Sequence, residues 1–312
     1  MFRAGDVVAG FTVDDVVGHG ASSDVYRVHR DGETTPLALK VLHADESDST
    51  RTRERFNREF AIASLLHHEH IVSMIDSGEA PPPADEAHLY PGTQPPTSLL
   101  WLAMQYVGGP SAISLIPSDR EQPRVATIVR VAQQIAAALD YAHSQDVLHR
   151  DVKPANILLT SSIVADADGL LSDFGIAQLL DDTRPLSRNG RVQGSIAYAA
   201  PELLQAQQLS PATDLYALAC SLMELLTGAP PYPRATAFAI TYAHIRDEPP
   251  KPTRRRPWLP SALDSVFARA LAKDPAARYP SAAEFVDIIV RALRDVPVPP
   301  PRRRRSWLHP LP

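Results

Sequence analysis

The sequence predicts an α+β chain of two lobes, a small strand-rich one followed by a larger, mainly helical one. Three observations carry that expectation. Strand-like runs of β-branched and aromatic residues fill roughly the first hundred positions, broken by turn residues such as Asp31 and Gly32. After Gly108 and Gly109 the apolar spacing turns helical. The 312 residues, 44% of them hydrophobic, suffice for one large or two modest domains with a substantial core.

The elements follow in order. FTVDDVVGHG and DVYRVHR read as strands flanking a short Gly-containing connection, and TPLALKVL as a third. A charged amphipathic helix is expected over about residues 51–67, where Phe56, Phe60, Ala63 and Leu66 recur near helical spacing. IVSMID and SLLWLAMQY read as two more strands. Residues 79–98 between them hold six prolines and read as a surface loop. Helices are expected over 124–145, with the stripe Ile128, Val131, Ile135, Leu139 and Ala142, and over 211–227, with Leu215, Leu218, Leu222 and Leu225. Two more, over 261–272 and 281–294, are each opened by a serine that can cap them, Ser261 and Ser281. The lobes meet near Gln105–Gly109, which gives a small lobe over 1–107 and a large one over 108–295. Residues 296–312, VPVPPPRRRRSWLHPLP, read as an extended or disordered tail.

Composition excludes several function classes. No apolar run approaches the roughly 20 residues that span a bilayer, and the start lacks a signal peptide's apolar stretch, so a cytoplasmic protein is expected. The one cysteine, Cys220, lies in the apolar run DLYALACSLMELL and reads as core. The net charge is −5; less the +4 of Arg302–Arg305, the body carries −9. That acidic body argues against coating a nucleic acid. The arginine run itself is expected to touch an anionic lipid surface or an acidic partner weakly, at about 1 kcal/mol per arginine.

Of 31 basic residues only four are lysines: Lys40, Lys153, Lys251 and Lys273. Two of them sit in stretches suited to phosphoryl transfer. That reaction needs a close backbone and cations for the phosphates, oxygen ligands for a metal, and a carboxylate for the attacking hydroxyl. Gly18-His19-Gly20 follows a strand and lets backbone approach phosphates, with Val25 opening the next strand. Position 23 is Ser where a third glycine is expected; a positive φ there would cost on the order of 1 kcal/mol. By itself the loop is equally an ordinary hairpin turn. Lys40, in Ala38-Leu39-Lys40, can hold the α- and β-phosphates if paired with a carboxylate on the following helix, Glu59 in preference to Glu54. In HRDVKPANIL, Asp151 would orient the acceptor, Lys153 would neutralise the transferred phosphate and Asn156 would bind a metal ion. LLSDFGIA supplies Asp173 as the principal metal ligand, with Phe174 packing to position it. GSIAYAAPE follows, with Ala200-Pro201-Glu202. His67, His68 and His70 lack the i, i+4 spacing of a helical zinc site. His149 reads as a core brace, since Asp151 fills the acceptor role.

These motifs, in this order over about residues 8–294, resemble those of bacterial eukaryotic-like (Hanks-type) serine/threonine protein kinases, most of all the receptor-type branch. The resemblance implies the bilobal protein-kinase fold, a small antiparallel-sheet lobe with one regulatory helix above a mainly helical lobe. It implies Mg²⁺-ATP (Mn²⁺ as a substitute) and protein substrates phosphorylated on Ser or Thr. Adenine would lie between Val17, Val25 and Ala38 above and Leu158 below, with Met104 as gatekeeper and the backbone of Gln105 and Val107 on its edge. Asp214 would brace the catalytic loop, and Glu202 and Arg278 would form a buried ion pair. Lys153 and Ser195 imply serine/threonine specificity. Arg150 before Asp151 implies control by phosphorylation of the loop 176–199, at Thr183 or Ser187. Homodimerisation through the small lobe, seen in some relatives, is left open. Tyr90 and the prolines around it have no counterpart, and the interval from Asn156 to Asp173 is a few residues longer than usual. Two alternatives are a pseudokinase, supported only by Ser23, and a kinase-like small-molecule phosphotransferase, which the GSIAYAAPE segment and the helical lobe after it disfavour.

Overall fold

A computed structural model of the chain describes residues 2–20, 23–43, 50–81, 98–174 and 193–300. In the small lobe, β1 (Val7–Val8), β2 (Phe11–His19), β3 (Ser23–Arg30) and β4 (Leu37–Leu42) form a meander. Helix α1 (Thr50–Ala63) follows, then β5 (Met74–Ala80) and β6 (Leu99–Gln105). The sheet order is β1-β2-β3-β4-β6-β5, antiparallel throughout. Strand alternation sorts the side chains onto two faces. Leu37, Leu39 and Val41 join Phe11, Val13, Tyr26, Val28 and Trp101 on one. Ala38 and Leu42 join Phe56 of α1, Leu100, Leu102 and Met104 on the other.

Two boundaries differ from the sequence expectation for a common reason. Helix α1 ends at Ala63 rather than 67, and β5 begins at Met74 rather than 71. The residues between serve the large lobe: Ala63, Leu66 and Ile71 are buried in its core. Val72 N–H donates to Leu171 O at 3.0 Å, and Leu171 N–H donates to His70 O at 2.9 Å. Apolar periodicity records burial without saying against which lobe. The proline-rich segment and Tyr90 fall outside the described residues.

The large lobe holds α2 (Val125–Ser144), the hairpin β7 (Ile157–Leu159) and β8 (Gly169–Leu171), then α3 (Gln193–Ile196), α4 (Pro201–Leu204), α5 (Pro211–Thr227), α6 (Ala237–Arg246), α7 (Pro252–Arg255), α8 (Ala262–Ala270) and α9 (Ala282–Leu293). Helix α5 is buried nearly all round, including Cys220, so it forms the lobe's axis. Its ends are well defined: Ser210 and Thr213 form a capping box around Pro211, and Gly228 closes the helix at φ 91°. Ser281 Oγ accepts from Glu284 N–H as expected of a cap, and Asp140 of α2 accepts from Ala282 and Ala283 N–H at 2.9 Å each. Ser261 makes no such bond. Its backbone is already helical (φ −60°, ψ −24°), so its side chain cannot reach back as a cap does. Helix α6 was not anticipated, because AFAITYAHIR is apolar almost all round and shows no clear stripe.

Two buried polar clusters lie beside α5. Arg278 makes a bidentate pair with Glu202, at 2.7 and 2.8 Å, with both side chains essentially inaccessible. Burial would raise the Glu202 carboxyl, but the Arg278 guanidinium outweighs it and holds it below the usual range. His244 of α6 lies within 3.1 Å of Ala197 O through Nε2 and 2.9 Å of the Tyr216 hydroxyl through Nδ1. A carbonyl can only accept, so Nε2 carries the proton and Tyr216 donates to Nδ1. Burial, aided by the Lys273 charge, lowers His244 to about 4.

Arg278→Ala leaves Glu202 buried without its partner and should cost about 3–5 kcal/mol, read from urea unfolding; a loss below about 1 kcal/mol would mean that the pair is hydrated. For His244 the unfolded ring titrates near 6.5 and the folded ring near 4, so only the unfolded chain takes up the proton in between. Stability is therefore full above that window and declines as pH falls through it, by up to roughly 3 kcal/mol. Urea midpoints measured from pH 7 to pH 4.5 should show this slope, and His244→Gln should flatten it.

Candidate active site

The site begins at Asp214, which is fully buried on α5. Its carboxylate accepts from the backbone N–H of His149 at 2.8 Å and of Arg150 at 2.6 Å, and lies 2.8 Å from His143 Nε2. Arg150 is thereby held at φ 68°, a left-handed conformation that a branched side chain seldom adopts. The His149 ring donates from Nε2 to Ser172 O at 2.8 Å and accepts the Asp151 N–H on Nδ1 at 3.2 Å. It also packs on Phe174 at 4.6 Å between centroids. His149 is a brace, as the sequence suggested, and it joins the catalytic-loop motif to the segment carrying Asp173.

Around Asp151 the polar side chains converge. Lys153 Nζ donates to Asp151 Oδ2 at 2.6 Å and to Ser195 Oγ at 2.8 Å. Asn156, in the short turn Pro154–Asn156, donates through Nδ2 to Asp151 Oδ2 at 2.9 Å and to Asp151 O at 2.8 Å. Turning the amide nitrogen to Asp151 leaves the Asn156 carbonyl oxygen as the atom offered to a cation.

Asp173 comes from the other side, at φ 64°. Lys40 Nζ of β4 donates to its Oδ1 at 2.6 Å. Burial alone would raise the Asp173 carboxyl; Lys40, with help from Lys153, overrides it and holds the group below the usual range. The acid is thus anionic, as a metal ligand must be. Here the lysine's described partner is Asp173. The Glu59 side chain lies outside the described residues, and Glu54 is exposed. An ionised carboxylate and an amide oxygen are hard donors of the kind Mg²⁺ takes when phosphate oxygens and water complete its shell. Among the described residues no group of three or more His, Cys, Asp or Glu is placed to hold a metal ion.

The expected adenine-contacting residues also come together. Ala38 and Met104 are cross-strand partners and buried in one cluster, against which Val25, Val107 and Leu158 pack. Leu170 belongs to the same cluster, so both lobes contribute. Val17 stands apart, about half exposed. Gln105 N–H donates to Ser73 O, so only the carbonyl of its backbone can serve a nucleobase. At the glycine loop, Gly20 N–H donates to Ser23 O at 2.8 Å, and a Cβ on Gly20 would come within 2.7 Å of that oxygen. Ser23 itself lies in β3 without positive φ, so no glycine is needed there. A Cβ on Gly109 would lie 2.1 Å from Leu159 O, which explains a glycine where the lobes meet. Thr183 and Ser187 fall outside the described residues.

Two features escaped the sequence reading. The Tyr198 hydroxyl donates to Glu224 of α5, next to the Ser195 segment; 26 residues separate them, and no motif links the two. Asp24, buried behind the glycine loop, looked like an ordinary strand residue.

Comparison with known proteins agrees with this geometry. The protein kinase domain model matches residues 11–288. The serine/threonine-protein kinase PknJ of Mycobacterium tuberculosis is 39% identical over 292 residues, 93% of this chain and 46% of PknJ. The serine/threonine-protein kinase PknF of the same species is 39% identical over 285 residues, 90% of this chain and 56% of PknF. The chain thus spans about half the length of these relatives. The crystal structure of the Mycobacterium tuberculosis PknI kinase domain superposes with a TM-score of 0.70 at 35% identity, covering 94% of this chain and all of that domain. With the family model spanning both lobes and the site between them, the chain belongs to the protein kinase domain family.

Proposed function

We propose that this chain transfers the γ-phosphoryl group of ATP to serine or threonine hydroxyls of proteins. The observation that carries the reading is the cluster in which Lys153 touches both Asp151 and Ser195, while Lys40 holds Asp173 ionised beside it. Asp151 orients the acceptor hydroxyl and takes its proton. Lys153 lies between that carboxylate and the substrate side, where it can offset charge on the transferred phosphoryl. Lys40 sits on the nucleotide side, available to the α- and β-phosphates, with Glu59 proposed as its carboxylate partner on α1. Val17, Gly18, Gly20, Val25, Ala38, Met104, Gln105, Val107 and Leu158 are the proposed nucleotide contacts. Asn156 and Asp173 would hold Mg²⁺, or Mn²⁺ in its place, and the metal would neutralise phosphate charge. Ser195 on Lys153 supports an alkyl alcohol as acceptor over a phenol.

Control by phosphorylation of the loop is part of the proposal. Arg150 directly precedes Asp151, and a phosphate on Thr183 or Ser187 would add charge able to order that loop against it. A small-lobe region over 1–107, a large-lobe region over 108–295 and a cytoplasmic setting complete the reading. Among the described residues no helix is long and apolar enough to cross a membrane.

Asp151→Asn should lower transfer by roughly 10²–10⁴-fold with nucleotide binding retained. Lys40→Met should abolish activity in a chain that melts normally. Radiolabelled ATP and calorimetry read both; full phosphorylation by either variant would refute the assigned roles. After incubation with Mg²⁺-ATP, mass spectrometry should find phosphate on Thr183 or Ser187. An unmodified loop in a fully active enzyme would exclude this control.

A further inference from the structure

Among the described residues of the glycine loop, one backbone bond, Gly20 N–H to Ser23 O, closes the turn. The β2–β3 ladder shifts register between Val16 and Gly18, and a Cβ on Gly18 would meet nothing within 4 Å. The last pair of that ladder is His19 with Asp24. His19 Nδ1 lies 3.0 Å from Asp24 Oδ1, and His43 Nε2, just past the end of β4, lies 3.3 Å from the same oxygen. The Tyr26 hydroxyl donates to Oδ2 at 3.4 Å and accepts the Phe2 N–H at 3.3 Å. Asp24 is buried, its side chain 9% exposed, whereas His19 is half exposed. One inaccessible carboxylate therefore gathers the loop tip, its return strand and the end of the strand that carries Lys40.

The cluster lies behind the loop. Asp24 and Tyr26 share a face of β3, and Tyr26 belongs to the core opposite the adenine-side cluster, which Val25 faces. Asp24 lies on the face of β3 away from that cluster, so its influence on a nucleotide passes through the loop backbone. Burial would raise the Asp24 carboxyl, but hydrogen bonds from His19 and His43 outweigh it and keep the group ionised. Burial pushes Tyr26 up to about 12, so it stays a donor.

We propose that Asp24 is a positioning residue for ATP: its carboxylate clasps the phosphate-covering loop, through His19, to the strand that presents Lys40. A fixed loop binds the triphosphate without first losing the freedom of an unrestrained hairpin tip. The inference rests on the kinase reading above. It assigns to this carboxylate an effect on nucleotide affinity, separate from the phosphoryl-transfer step.

The test uses the full chain, with a non-hydrolysable ATP analogue and Mg²⁺ in calorimetry, and kcat measured at saturating ATP. His19→Ala, an exposed change that leaves the core intact, and Asp24→Asn should each weaken analogue binding on the order of five-fold, about the net worth of one hydrogen bond. Each should leave kcat within about two-fold, since neither side chain reaches the reacting atoms. The double variant should be no weaker than the worse single one, because both act through one clasp. Melting curves identify any variant that has lost its fold, and His19→Ala then decides alone. Additive losses, an affinity within about two-fold of the unmodified chain for His19→Ala, or a loss confined to kcat would overturn the proposal. Failure of the unmodified chain to bind the analogue would overturn the kinase reading, and this one with it.

Discussion

A single buried carboxylate organises the residues of the proposed active site. Asp214 sits on the most enclosed of the described helices and accepts two backbone N–H groups from the loop that carries Asp151. Those bonds hold Arg150 in a left-handed conformation, which costs on the order of 1–2 kcal/mol for a non-glycine residue. Hydrogen bonds to an ionised acceptor are worth about 1.5–3 kcal/mol each, so two of them offset the strain with some to spare. The anchor is rigid because α5 is apolar around nearly its whole circumference and cannot rotate without exposing core.

From that anchor, position passes outward through contacts that can be named. His149 carries it from the loop to Ser172, and so to Asp173, the second left-handed residue of the site. Asp173 passes it across the cleft to Lys40. Lys153 carries it the other way, to Ser195. One left-handed residue, Arg150, directly precedes Asp151 and is held by its own N–H on Asp214; the other is Asp173 itself, whose carboxylate accepts from Lys40. The described contacts between the lobes include Ala63, Leu66 and Ile71 in the large-lobe core, His67 N–H to the Tyr141 hydroxyl, the Leu170 cluster and the backbone bonds of residues 70–72 to Leu171.

Much of this was legible in the sequence, for a physical reason. Phosphoryl transfer restricts residue type at fixed intervals along a short loop, and HRDVKPAN keeps Asp151, Lys153 and Asn156 within six residues of chain. Residue types that close in sequence can be recognised without knowing the rest of the fold. Period-two and helical spacing likewise reported the sheet and most long helices, because burial of one face is written locally. The boundaries that slipped, at Ala63 and Met74, are those where one stretch serves both lobes. Helix α6 was missed because a segment apolar on nearly every side has no stripe to read.

The sequence by itself determined the order of elements, the residue types of the site and the chemistry those types can perform. Only the tertiary structure decided which distant groups meet beyond those expected: Lys40 with Asp173, 133 positions away, and His19 and His43 with Asp24. It also decided that Ser23 needs no glycine's freedom and that Ser261 caps nothing. Residue type is chemical information that one position carries alone. A distance across a cleft depends on the packing of every element between its ends, and no short stretch of chain contains that.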